Sequence, residues 1–87
     1  VARVAEPRVV VLSPSQALVV DELIRDGADN ATIARRLGIS PDSVKGHMRE
    51  AFRRTGCWSR TELAVEILSG RLDYQPRDKR TTGRWTA

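Results

Sequence analysis

The stretch GISPDSVKGHMREAFRRTG, residues 38–56, decides how the chain is read. Ser40-Pro41 is a helix start. A serine side chain can accept an orphan N–H of the first turn, and proline at the first helical position gives up only an N–H that has no partner there. The spacing predicts a helix from Pro41 to about Thr55, with Gly56 as its stop. On it Val44, Met48, Ala51, Phe52 and Thr55 recur at i, i+4, i+7, i+8 and i+11, so they share a face that packs inward. The opposite face carries Asp42, Lys45, Gly46, Arg49 and Arg53. Glycine inside a helix costs about 1 kcal/mol relative to alanine. Lys45 and Arg49, like charges one turn apart, add a small cost of their own. The charge cost makes sense if an anion faces this ridge.

Three further helices are delimited on either side. Ser13-Pro14, with Gln16 placed to close a capping box, starts a helix that runs to about Asp26 and stops at Gly27. Its apolar stripe is Ala17, Val20, Leu23 and Ile24. Asp29 or Asn30 caps a short helix from about Asn30 to Leu37, with Ile33, Ala34 and Leu37 inward and Gly38 at its end. Ser59 with Glu62 predicts a second capping box, opening a helix to about Ser69 that stops at Gly70. There Leu63, Ala64, Ile67 and Leu68 supply core packing, while Thr61 and Val65 begin a second, outward stripe. The fold class expected is therefore all-α, a compact four-helix unit over 12–72 with flexible tails. Residues 1–11 form an N-terminal arm or linker, where only Arg8–Leu12 offers any strand signal. From Asp73 the polar, aperiodic run reads as a basic disordered tail carrying Arg77, Lys79, Arg80 and Arg84.

Composition narrows the function. At 87 residues the chain is one small domain, and 5 % aromatics leave its core to Val, Leu, Ile and Ala. Its net charge of +4 suits an anionic partner. The distribution says more than the total. From Ala28 to Arg60, seven Lys and Arg face three acids, a balance of +4, whereas the first helix with its flanks carries −2. One cysteine, Cys57, and one histidine, His47, exclude an internal disulfide and a protein-only zinc site. Cys57 reads as a small apolar residue between helices. No cofactor, metal or catalytic set is expected, because no nucleophile, base and partner stand together. No run reaches the roughly 20 apolar residues of a membrane span, so no membrane partner and a cytoplasmic location are expected. A first residue of Val1 rather than methionine fits an excised or trimmed domain, and regulation is expected from a receiver or ligand domain upstream or, if the segment stands alone, from expression level.

A short helix, a tight turn through Gly38 and a core-anchored basic helix have the organisation of a helix-turn-helix. The motifs GADNATIARRLGIS, SVKGH and WSRTELA make the chain resemble the LuxR-type (LuxR/NarL) DNA-binding domain of bacterial transcription regulators, over roughly residues 12–72. The resemblance implies a four-helix fold, major-groove reading by the third helix and homodimerisation through the fourth, on an inverted repeat. It puts Lys45, Gly46 and Arg49 at base edges. It puts Asn30, Ser40, Ser43, Arg53 and Arg54 at phosphates or the groove rim, and Thr61, Ala64, Val65 and Leu68 at the dimer contact; His47, read from its own position, flanks the core or hydrogen-bonds a phosphate. Arg60 matches the arginine of the family's SR start. Two departures stand out. The first helix is one residue longer than usual, which places Asp21 where an aliphatic is common. Ala51 and Thr55 replace larger aliphatics. Two rival readings differ in partner: a sigma-factor region-4-like module contacting promoter or RNA polymerase, and a protein-binding adaptor using the acidic first helix.

Overall fold

The computed structural model describes residues 7–77. In chain order its elements are β1 (Arg8–Leu12), α1 (Pro14–Asp26), α2 (Asn30–Leu37), α3 (Pro41–Thr55), α4 (Arg60–Leu68) and β2 (Leu72–Pro76). The helices begin where side chains take up first-turn N–H groups: Ser13 accepts from Gln16, Asp29 from Thr32, Ser40 from Ser43 and Ser59 from Glu62. The Ser13 box is reciprocal, with the Ser13 N–H donating to Gln16 Oε1 at 3.0 Å. At α4 the expected box forms only by half. Glu62 Oε1 accepts from the Trp58 N–H at 2.7 Å, one residue ahead of the cap.

Between α2 and α3 the chain turns in three residues, Gly38 to Ser40. Gly38 sits at φ +70°, a left-handed conformation in which a Cβ would be strained, and so lets α2 stop and α3 start in that space. The core gathers Val19, Val20, Ile33, Val44 and Leu63 from the four helices, all fully buried. α1 and α2 both pack on α3, which fixes its rotation. Two side chains depart from the expected pattern. Val19 is buried beside Val20, and Leu68 is 68 % exposed, because Leu63 and Ile67, one turn apart, define the inner face of α4.

The expected all-α unit with flexible tails needs correction at both ends. β1 and β2 pair in parallel, in register from Arg8 opposite Leu72 to Leu12 opposite Pro76. The residues expected to open a disordered tail, Asp73 to Pro76, are thus a strand. Alternation explains it: Leu72 and Tyr74 point at the core while Asp73 and Gln75 point out. Leu12 and Leu72 are fully or almost fully buried, each worth about 1.5–3 kcal/mol of apolar burial. The pair is closed at its ends, where the Arg8 N–H donates to Arg71 O at 3.1 Å and the Arg77 N–H to Leu12 O at 2.7 Å. The Tyr74 hydroxyl donates to the Asp21 carboxylate, which gives that unusual acid on α1 a partner. Residues 1–6, and the rest of the basic tail with Lys79, Arg80 and Arg84, lie outside the described residues.

Candidate nucleic-acid interface

The interface is built from α3 outward. Val44, Met48, Ala51 and Thr55 are buried, so the helix has one permitted rotation about its axis. Thr55 meets the cost of burying a hydroxyl by donating to Ala51 O at 2.9 Å and accepting from the Cys57 N–H at 3.3 Å. Phe52 is half-buried against the same core. With that face inward, Asp42, Lys45, Gly46, Arg49 and Arg53 are all exposed on the other side, as the wheel requires. A Cβ built on Gly46 would meet nothing within 4 Å, so the notch opens to solvent.

Charge partners divide the cations into two groups. Lys45 and Arg49 enter none of the ion pairs among the described residues. Arg53 and Arg54, by contrast, share Glu50. Arg53 Nε donates to Glu50 Oε1 at 3.2 Å, and Arg54 Nε lies 3.5 Å from Oε2. The Arg53 hydrogen bond and its charge hold the Glu50 carboxyl below the usual carboxylate range. On α2, Arg36 turns back to α1 and pairs with Glu22 at 2.9 Å and Asp26 at 2.8 Å. Arg36 likewise lowers the Asp26 carboxyl. The acids of α1 are therefore largely engaged, with Tyr74 on Asp21 and Arg36 on Glu22 and Asp26.

The remaining predicted positions lie mostly at helix starts. Ser40 Oγ caps α3 and donates to Ser43 Oγ at 3.0 Å, so the two hydroxyls stand side by side at the start of the helix. Asn30, at the start of α2, accepts from Arg60 Nη1 at 2.7 Å, and Arg60 also donates to Ala28 O. This ties the N-terminal ends of α2 and α4 together. His47 is half-buried and Cys57 buried. Thr61, Ala64, Val65 and Leu68 line a shallow depression of about 320 Å³ together with Arg60, Leu23 of α1 and Gly27 just after it. Val65 and Leu68 are exposed there. Among the described residues no set of three acidic, Cys or His side chains could hold a metal, and no helix is long and apolar enough to cross a membrane. The Glu50 pairing was open to reading from the sequence, since an acid three and four residues before two arginines is a known helical contact. The Asn30–Arg60 bond spans 30 residues and had no local signal.

A short helix, a three-residue turn and a second helix offering cations away from its core define a helix-turn-helix protein of the nucleic-acid-binding class. Residues 10–67 match the family model of bacterial regulatory proteins of the luxR family, and the chain belongs to that family. It is similar to the monoamine regulon transcriptional regulator of Klebsiella aerogenes, 49 % identical over 41 residues, covering 47 % of this chain and 18 % of that protein. It is also similar to the HTH-type transcriptional regulator AlkS of Ectopseudomonas oleovorans, 27 % identical over 66 residues, covering 76 % of this chain and 8 % of that protein. The chain thus spans less than a fifth of the length of these relatives. No solved structure matches it. Family and relatives make it a DNA-binding transcription-regulator domain and not an enzyme.

Proposed function

We propose that the chain binds a specific site on double-stranded DNA, with α3 in the major groove. Lys45 and Arg49 address base edges, and Gly46 between them lets the backbone ride close to a base pair. Arginine can pair bidentately with guanine O6 and N7, and lysine can reach the same acceptors. Asn30, Ser40, Ser43, His47, Arg53 and Arg54 fix the register on phosphates. The observation that carries this reading is the contrast in partners: Lys45 and Arg49 are exposed on a helix whose rotation is pinned, and no ion pair among the described residues engages them.

A second copy completes the reading. Thr61, Ala64, Val65 and Leu68 make the two-fold contact, and the operator is an inverted repeat. Exposed Val65 and Leu68 beside a shallow depression support this. The patch is small, so dimerisation is expected on DNA rather than in free solution. The DNA-binding unit is placed at residues 12–72, in a cytoplasmic regulator. The adaptor reading loses its main support, because Arg36 and Tyr74 occupy the acids of α1. Selection of sites from random DNA tests the proposal. A palindromic product is expected, and failure to enrich any sequence would sink it.

A further inference from the structure

Glu50 holds Arg53 in a particular way. Arg53 Nε donates to Glu50 Oε1 at 3.2 Å and Nη2 donates to Oε2, so the carboxylate takes one edge of the guanidinium in a two-pronged grip. A guanidinium has five N–H donors in a fixed plane. This grip uses one on Nε and one on Nη2, and leaves the three at the far end of the plane, including the parallel pair on Nη1 and Nη2. Arg53 is 71 % exposed, so that end faces solvent on the ridge. Glu50 is itself engaged by a second arginine. Arg54 Nε lies 3.5 Å from Oε2, and Arg54 Nη1 reaches Val11 O of β1 at 3.5 Å. A chain of contacts therefore runs from β1 through Arg54 and Glu50 to Arg53.

We propose that Glu50 is a positioning residue for DNA recognition, holding Arg53 so that its free end is offered to the two oxygens of one backbone phosphate. The inference rests on the reading of α3 as the groove helix. An arginine already held in its bound orientation loses less side-chain freedom on binding. A two-pronged contact also fixes direction where a point charge does not. An acid beside a DNA-binding ridge weakens attraction to any phosphate, so plain electrostatics predicts that removing it tightens binding everywhere. Positioning predicts the opposite at the cognate site. The two explanations differ in sign.

The test uses Glu50→Gln, which keeps size and helix propensity, on the selected operator and on unrelated DNA, with melting of each variant measured alongside. The expected result is binding to the operator weakened by about five-fold, with binding to unrelated DNA equal or tighter. The loss should be spread evenly over operator base-pair substitutions. Arg53→Lys, which keeps the charge without the fork, should lose about as much, and Glu50→Gln should add nothing in that background. Tighter binding to both DNAs by one factor would overturn the proposal, leaving Glu50 as a bare charge. A loss confined to one base pair would also overturn it, because Arg53 or Glu50 would then read a base. The underlying reading fails separately: Lys45→Ala with Arg49→Ala would leave operator affinity intact.

Discussion

The seam between α1 and α2 and the outer ridge of α3 both carry arginine, and the fold treats the two regions in opposite ways. At the seam Arg36 crosses from α2 to α1, where Glu22 and Asp26 wait at 2.9 and 2.8 Å. Its charge is answered inside the protein. On the ridge Lys45 and Arg49 project from a helix whose inner face is fully packed, with no counter-charge engaging them among the described residues. A sum of charges counts Arg36 and Arg49 alike. What separates them is whether a neighbouring helix lies across from the guanidinium, so the seam reports on stability and the ridge on a partner.

The largest effect expected is on the ridge. Lys45→Ala with Arg49→Ala should weaken binding to a selected operator by about 100-fold or more, at 1–3 kcal/mol per base contact. Its melting temperature should hold, since two like charges are removed. Arg36→Ala should do the reverse, lowering the melting temperature while the folded protein binds within about two-fold of wild type. Anisotropy titrations beside thermal melts read both. A comparable loss of DNA affinity in Arg36→Ala would erase the distinction between the regions.

Next in size is Leu72→Ala, which empties a buried site beneath β2. Urea unfolding should show a loss of about 2–4 kcal/mol. Operator affinity of the protein that remains folded should be unchanged, extending the framework side of the comparison to the strand pair. Gly46→Ala crosses the divide. It should stabilise the free domain by about 1 kcal/mol, as its new Cβ meets nothing within 4 Å. It should also change preference at one base pair in repeated site selection. A stabilised variant with unaltered selection would make the notch a tolerated flaw.

The smallest effect expected concerns Tyr74. Burial, the hydrogen bond to Asp21 and the nearby acids raise its pKa above the ordinary tyrosine value of 10.0. The neutral phenol is thus favoured in the folded state. Its contribution is fully present below pH 10 and is lost as pH climbs from there through the raised pKa. Tyr74→Phe should cost about 0.5 kcal/mol at neutral pH, the low end for a hydrogen bond because Asp21 is exposed. Above pH 10 the difference between the two proteins should shrink. An unchanged gap through pH 11 would mean that the phenol does not titrate with folding.

The helices are readable in the sequence because their signals are local. Ser13, Asp29, Ser40 and Ser59 each cap a backbone N–H three residues on, so a short window holds both partners. The α3 ridge is readable for a related reason: Val44, Met48, Ala51 and Thr55 set the buried face, and the exposed one follows by geometry. The strand pair is not. Its partners are 64 residues apart, Arg8 with Leu72, and Val9, Val10 and Val11 mask the alternation in β1. Leu72, Asp73, Tyr74 and Gln75 do alternate, but a window of this length with two polar members has little strand character by itself. Asp21 looked out of place on α1 until its partner Tyr74 was in view. Which arginines are engaged was only half legible. Glu50 stands within one turn of Arg53 and Arg54, whereas Arg36 meets Glu22 and Asp26 only once α1 and α2 are packed.

The direction of the strand pair has a mechanical consequence. β1 and β2 run the same way, so chain before Arg8 and chain after Pro76 leave the sheet from opposite ends. Tension applied between those two points pulls along the strands. The bonds between them, from Arg8 onto Arg71 at one end to Arg77 onto Leu12 at the other, then bear the load together in shear. An antiparallel pair at the same place would be peeled open one bond at a time. A small helical reader pulled by its ends would thus yield first at its five-residue strands, and only when the whole ladder gives way at once.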